Sequence, residues 1–124
     1  MQELAKTVFI AKWKSFKVFQ KTGEIKLHSE QHYREFLFKD SGTLLIKSHK
    51  GGQVTELANT NGWMVELKEK RHYLKLPLYK IIYEVVTVNH TVLVLLDNST
   101  SEKTFFAKEM HWHSYLNSNT HIVL

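Results

Sequence analysis

A beat repeated through the middle of the chain constrains the fold most: short runs of alternating apolar and polar residues, separated by pairs that favour turns. Alternation with period two sets one face of an extended strand against a core and the other toward water. Tyr33-Arg34-Glu35-Phe36-Leu37-Phe38, then Lys39-Asp40-Ser41-Gly42, then Thr43-Leu44-Leu45-Ile46-Lys47-Ser48 reads as strand, turn, strand. Gly51-Gly52 turns the chain into Val54–Ala58, and Asn59-Thr60-Asn61-Gly62 turns it into Trp63–Leu67. Asn-Gly is the strongest short turn signal because both residues tolerate positive φ.

Beyond Glu69-Lys70-Arg71 the beat resumes at Tyr73–Leu76, where Pro77 cannot donate to a ladder and marks an end or an edge. A long strand is expected over Leu78–Val88, a turn at Asn89-His90, an apolar strand over Thr91–Leu96, and a further strand through Thr104–Ala107. A strand is also expected over Trp13–Phe19. The first ten residues fit a short helix as well as a strand, and Glu109–Leu124 fits a helix, a final strand or both. The alternation assigns Phe36, Phe38, Leu44, Ile46, Trp63, Val65, Leu67, Leu74, Leu76, Tyr79, Ile81, Tyr83 and Val85 to the inner face. It turns Glu35, Lys47, Glu66, Lys75, Lys80 and Glu84 toward water. A meander of this kind must close, or pack sheet on sheet, to avoid a long apolar edge. The fold class is therefore all-β, an antiparallel meander closed into a small barrel of eight to ten strands, with room for a short helix at either terminus.

With 124 residues, residues 1–124 make a single domain. Hydrophobic residues at 43% and charged residues at 23% match ordinary globular proteins and argue against disorder. The longest apolar runs, such as Val92–Leu96, are far short of the roughly 20 residues that cross a bilayer, so no transmembrane segment is expected. The first residues lack the order of a secretory signal. A cytoplasmic protein follows if the chain is complete, and one of the cell envelope or secreted if a leader was removed. The absence of cysteine excludes disulfides, thiolate nucleophiles and cysteine metal sites.

The net charge of +5 comes from fifteen Lys and two Arg, Arg34 and Arg71. Lysine is the hydrated charge of ordinary surfaces, whereas arginine is preferred for forked contacts to phosphate or carboxylate. The basic residues are spread along the chain without the aromatic-basic motif of a known reader, so no nucleic-acid partner is expected. The segment Lys6–Lys26, with six Lys, could serve as a basic arm for an acidic partner, but a solvated strand face is the favoured reading.

The sequence also resembles the lipocalin-like (calycin) domains, in particular the short bacterial ones. The matching residues are Ala11-Lys12-Trp13-Lys14, Phe36-Leu37-Phe38-Lys39-Asp40-Ser41-Gly42-Thr43-Leu44 and Asn61-Gly62-Trp63-Met64-Val65-Glu66-Leu67. Leu74-Lys75-Leu76, Tyr83-Glu84-Val85, Val92–Leu96 and Phe105-Phe106-Ala107-Lys108 then follow in order, so that residues 11–108 are covered. The resemblance implies an antiparallel barrel of eight to ten strands whose first-strand Trp closes one end and whose interior holds a small apolar ligand. Ala11 stands where the family usually has Gly, no Arg follows Arg71 to pack over the Trp, and the Arg-x-Tyr clamp of fatty-acid-binding proteins is missing.

An apolar cavity takes its selectivity from a few polar groups. Arg34 shares a face with Phe36 and Phe38 and could hold a carboxylate near an opening; Tyr79 and Tyr83 could offer hydroxyls, with Trp63 as an aromatic wall. The ligand-binding candidates are thus Arg34, Phe36, Phe38, Trp63, Tyr79 and Tyr83. Against this, Arg34 could sit at a rim and the tyrosines could simply fill space. His111-Trp112-His113 would put two imidazoles on one side of an extended segment, a spacing that can bind metal, but no third ligand is evident and no metal or other cofactor is expected. No nucleophile elbow, phosphate loop or helix-borne metal motif is present, so no catalytic residue is assigned and an enzyme is not expected. The expected function is a non-catalytic domain that binds a small apolar or amphipathic ligand inside the barrel. Two alternatives are a protein-interaction domain with a filled core and a pleckstrin-homology-like domain that binds anionic lipid headgroups.

Overall fold

The computed structural model describes residues 5–120. Ten strands follow one another: β1 Ala11–Phe19, β2 Ile25–Leu27, β3 His32–Phe38, β4 Leu44–Lys50, β5 Gln53–Thr60, β6 Met64–Lys68, β7 Arg71–Leu76, β8 Ile81–Val88, β9 Val92–Asp97 and β10 Glu102–Lys108. A 3₁₀ turn at Lys6–Phe9 precedes them and a helix, α1, Glu109–Thr120, ends them. All ladders are antiparallel and join in the order β5-β4-β3-β1-β10-β9-β8-β7-β6, with the short β2 beside β1. The sheet curls into a half-barrel.

The expected meander and terminal helix are thus present, and β1 meets β10 as closure requires. At the other seam the two ends of the path, β5 and β6, form no ladder with each other among the described residues. Side chains bridge this seam. The Tyr79 hydroxyl accepts from the Asn59 amide at 2.9 Å and donates to the Asn59 carbonyl at 3.1 Å, in the manner of a neighbouring strand. The chain turns at Asn61-Gly62 as expected, but β5 and β6 on either side do not pair, and the turn delivers Trp63 into the core. Trp63 packs on Phe38 at 5.0 Å and on Phe9 at 6.1 Å, and its indole N–H donates to the Gly42 carbonyl at 2.9 Å. Neither Asn61 nor Gly62 has positive φ.

The same aromatic group plugs one end of the half-barrel. Phe9 is fully buried, and its carbonyl accepts the Trp13 indole N–H at 2.8 Å, which pins the first turn to β1. Lys108 Nζ lies 5.5 Å from the centre of the Trp13 ring, a cation near an aromatic face. From this plug the core continues through Phe36, Ile46, Leu74, Leu76, Leu95 and Phe106.

Two expected strand features change. The long strand over Leu78–Val88 is interrupted by a 3₁₀ turn at Pro77–Tyr79, with Lys80 left-handed at φ 55°, and β8 starts only at Ile81. Tyr79 consequently leaves the inner face for the exposed seam. Glu35 does face away from the core, but it is buried instead of solvated, with His49 Nε2 3.2 Å from its carboxylate.

The Glu109–Leu124 segment resolves as a helix through Thr120, and a strand beyond residue 120 falls outside the described residues. Trp112 and Leu116, four residues apart, share one helical face and bury against Phe16 and Ala107 on the outer side of β1 and β10. A bulge in β1 lies at this contact: the register with β10 shifts between Ser15 and Lys17, and Phe16 packs on the helix side of the sheet.

Candidate ligand-binding site

The bulge also marks the split of the barrel wall. β1 pairs with β3 from Ala11↔Phe38 to Lys14↔Glu35, and beyond Phe16 its place beside β1 is taken by β2, at Lys17↔Leu27 through Phe19↔Ile25. Ser15 stands at the fork. Its side chain is fully buried, and Oγ accepts the Arg34 backbone N–H at 2.8 Å, replacing the ladder bond lost where the strands part. The same Oγ lies 2.6 Å from His28 Nδ1, and the Ser15 carbonyl accepts the Trp112 indole N–H at 2.9 Å. One residue therefore ties the diverging strands, the β2–β3 connection and the helix together.

The split opens a cleft of about 370 Å³ at the end away from the aromatic plug. Its walls come from both faces of the sheet: Arg34 and Ser48 from the inner face of β3 and β4, and Tyr33 and His49 from the outer. Val18 and Leu27 give it apolar surface, while Lys26, Arg34 and Lys50 bring three cations against the single carboxylate of Glu102. The positive field is felt at half-buried His28. Its pKa falls from 6.5 to about 4, first through burial and then through the charges of Lys26, Arg34 and His32. His28 is accordingly neutral near pH 7, and in the tautomer with its proton on Nε2 its Nδ1 accepts the Ser15 hydroxyl.

Arg34 belongs to the exposed residues, yet its charge acts on the Tyr83 phenol of β8. Burial raises the Tyr83 pKa, with Asp97 acting in the same direction and Arg34 against it.

The six residues proposed from sequence do not gather around one cavity. Arg34 lines the cleft. Tyr83 packs on the core edge 5.8 Å from Phe36 and feels the Arg34 charge. Phe36, Phe38 and Trp63 are at most 2% exposed and pack on one another or on their aromatic neighbours, as structural filling. Tyr79 bridges the β5–β6 seam. Ser15, His28, Lys26 and Lys50 were not among the candidates. The one sequence sign is Ser15 itself, a small polar residue on the same alternation as Ala11 and Trp13, where an apolar side chain would be expected. His28 carries no such sign, because its role depends on the bulge.

His111 and His113 do not form the expected pair. On a helix, residues two apart point to different sides, and His113 instead sits 3.1 Å from the exposed Glu30 carboxylate. Among the described residues no group of three or more His, Asp or Glu converges on a point that would hold a metal; His121, a conceivable third ligand, lies outside them.

A second hollow of about 380 Å³ lies on the outer surface, between α1 and the strands, lined by Phe16, Val92, Val94, Phe105 and Tyr115. Its walls are mostly apolar, with Lys17 as the cation and Thr87 and Ser118 as the other polar lining residues. No family model matches the chain, and neither a curated protein nor a solved structure does.

Proposed function

We propose that this chain is a non-catalytic, lipocalin-like binding domain that takes up a small amphipathic molecule in the cleft at the split of its wall. The cleft itself carries this reading: its volume falls within the roughly 300–1,000 Å³ of small-ligand sites, and an arginine faces it across apolar walls. The plugged opposite end, with Phe9 under Trp13, supports the family resemblance.

The one arrangement suggestive of catalysis is the Ser15–His28 contact. Three observations favour a structural role for it. The serine is 0% exposed, its hydroxyl is occupied by the Arg34 amide, and a histidine with pKa about 4 is a weak general base at neutral pH.

Of the alternatives, the filled aromatic core fits an interaction domain, but a cleft with convergent cations is more than such a domain needs. The C-terminal helix is a feature of the pleckstrin-homology-like alternative, yet here it packs on the outer face and no helix residue lines the cleft. Native mass spectrometry of the protein purified from its own host tests the proposal. A retained small molecule is expected; a bare mass, together with no fluorescence gain from the neutral apolar dye Nile red, would overturn it.

A further inference from the structure

We infer that the cleft selects organic anions, and specifically an amphipathic carboxylate whose head sits on the Arg34 guanidinium and whose apolar body lies against Val18 and Leu27. The inference rests on the binding reading above and adds the class of ligand. Four features support it. The formal charges of the walls, Lys26, Arg34 and Lys50 against Glu102, leave an excess of two cations in a recess that partly excludes water. Arg34 lines the recess, and its guanidinium has five N–H donors in a planar fork that matches a carboxylate. The backbone of Arg34 is itself fixed through Ser15, so the head of the site is preorganised. Finally, apolar wall and cationic head lie within one recess, as an amphipathic anion requires.

His28 reports on the same field. Facing it are Ser15 from β1, Lys26 from β2, and Arg34 and His32 from β3; His49 and Lys50 from β4 and Glu102 from β10 share the recess. Burial leads the depression of the His28 pKa and the neighbouring cations add to it; an anion seated on Arg34 offsets the cationic part, so bound carboxylate is expected to raise the His28 pKa above about 4.

The test compares naphthalene-2-carboxylate with naphthalene-2-carboxamide, which share a ring system and differ in charge, by isothermal calorimetry at low salt. The carboxylate is expected to bind about tenfold or more tightly, since hydrogen bonds to a charged group exceed neutral ones by that order. The preference should vanish in Arg34→Gln and weaken in Arg34→Lys, and NMR titration of the unmodified protein should show the His28 pKa rise by about one unit or more on saturation. Equal binding of both compounds would overturn the anion assignment and leave the binding proposal standing. A carboxylate preference that survives Arg34→Gln, or an unchanged His28 pKa, would place the anion elsewhere and also overturn it. Failure of both compounds to bind would remove the binding proposal with it. The comparison of the two compounds and the His28 titration use the unmodified protein and so do not depend on the variants folding.

Discussion

Replacing Ser15 by alanine should destabilise the protein far more than the loss of one oxygen suggests. The hydroxyl satisfies two groups at once, the Arg34 amide at 2.8 Å and His28 Nδ1 at 2.6 Å. Arg34 N–H lies where β1 and β3 have parted, so no ladder carbonyl can take it over. An orphaned amide in such a place costs about 1–3 kcal/mol. His28 is only half-buried and can turn to water, which limits its share to about 0.5 kcal/mol. The total expected loss is about 2–3 kcal/mol. With a urea slope of about 1.5 kcal/mol per molar, the unfolding midpoint should fall by about 1.5–2 M with the slope unchanged. Hydrogen exchange at the Arg34 amide should accelerate in parallel. A midpoint shift equivalent to less than about 0.5 kcal/mol would refute the claim that Ser15 splices the fork, since ordinary surface changes cost as much.

Further outcomes follow from the same contacts. Trp112→Ala removes an indole 3% exposed and its bond to the Ser15 carbonyl, and should cost about 3–5 kcal/mol in chemical denaturation; a loss under 1 kcal/mol would mean that α1 is not docked. Tyr79→Phe deletes the hydroxyl that covers both backbone groups of Asn59, and should cost about 0.5–1.5 kcal/mol while speeding exchange at the Asn59 amide. Exchange that stays unchanged would show the seam closed by other means. Between pH 6.5 and about 4 the unfolded chain protonates His28 before the folded one does, so stability should fall with pH across that window and fall no further on this account below it. Discounted for partial exposure, the contribution is about 1–2 kcal/mol. It should be missing from the pH–stability curve of His28→Gln, and identical slopes in the two proteins would contradict it.

How much could be read beforehand differs between the fold and the site. Strand identity was legible wherever the alternation ran unbroken, as in Phe36 and Phe38 or Leu74 and Leu76, because burial of one face leaves a period-two trace in the residue types. The helix at Glu109–Thr120 was less legible, since its buried stripe is only Trp112 and Leu116, too short a pattern to separate from a strand. Asn61-Gly62 marks the turn but not that the strands on either side stay unpaired, because the sequence cannot place Trp63 against Phe9 and Phe38. Tyr79 was assigned inward by extending the alternation across Pro77, where the chain in fact makes a 3₁₀ turn.

The site was legible only at Arg34. An arginine on the apolar face of a strand is conspicuous, and the structure sets it in the cleft. The others depend on the β1 bulge, which shifts register without leaving a glycine or proline to mark it. His28 reaches Ser15 across thirteen residues of turn and short strand, and neither spacing nor periodicity reveals that approach.

The account stands most directly on the cleft being the place where a small ligand lands, and residue-resolved NMR of the uniformly labelled protein titrated with naphthalene-2-carboxylate measures that. The expected result is a set of saturable amide shifts confined to the fork and the cleft walls, led by His28, Arg34, Ser48, Lys50 and Thr104. Shifts centred instead on Val94, Phe105 and Tyr115, in the hollow beneath α1, would contradict it.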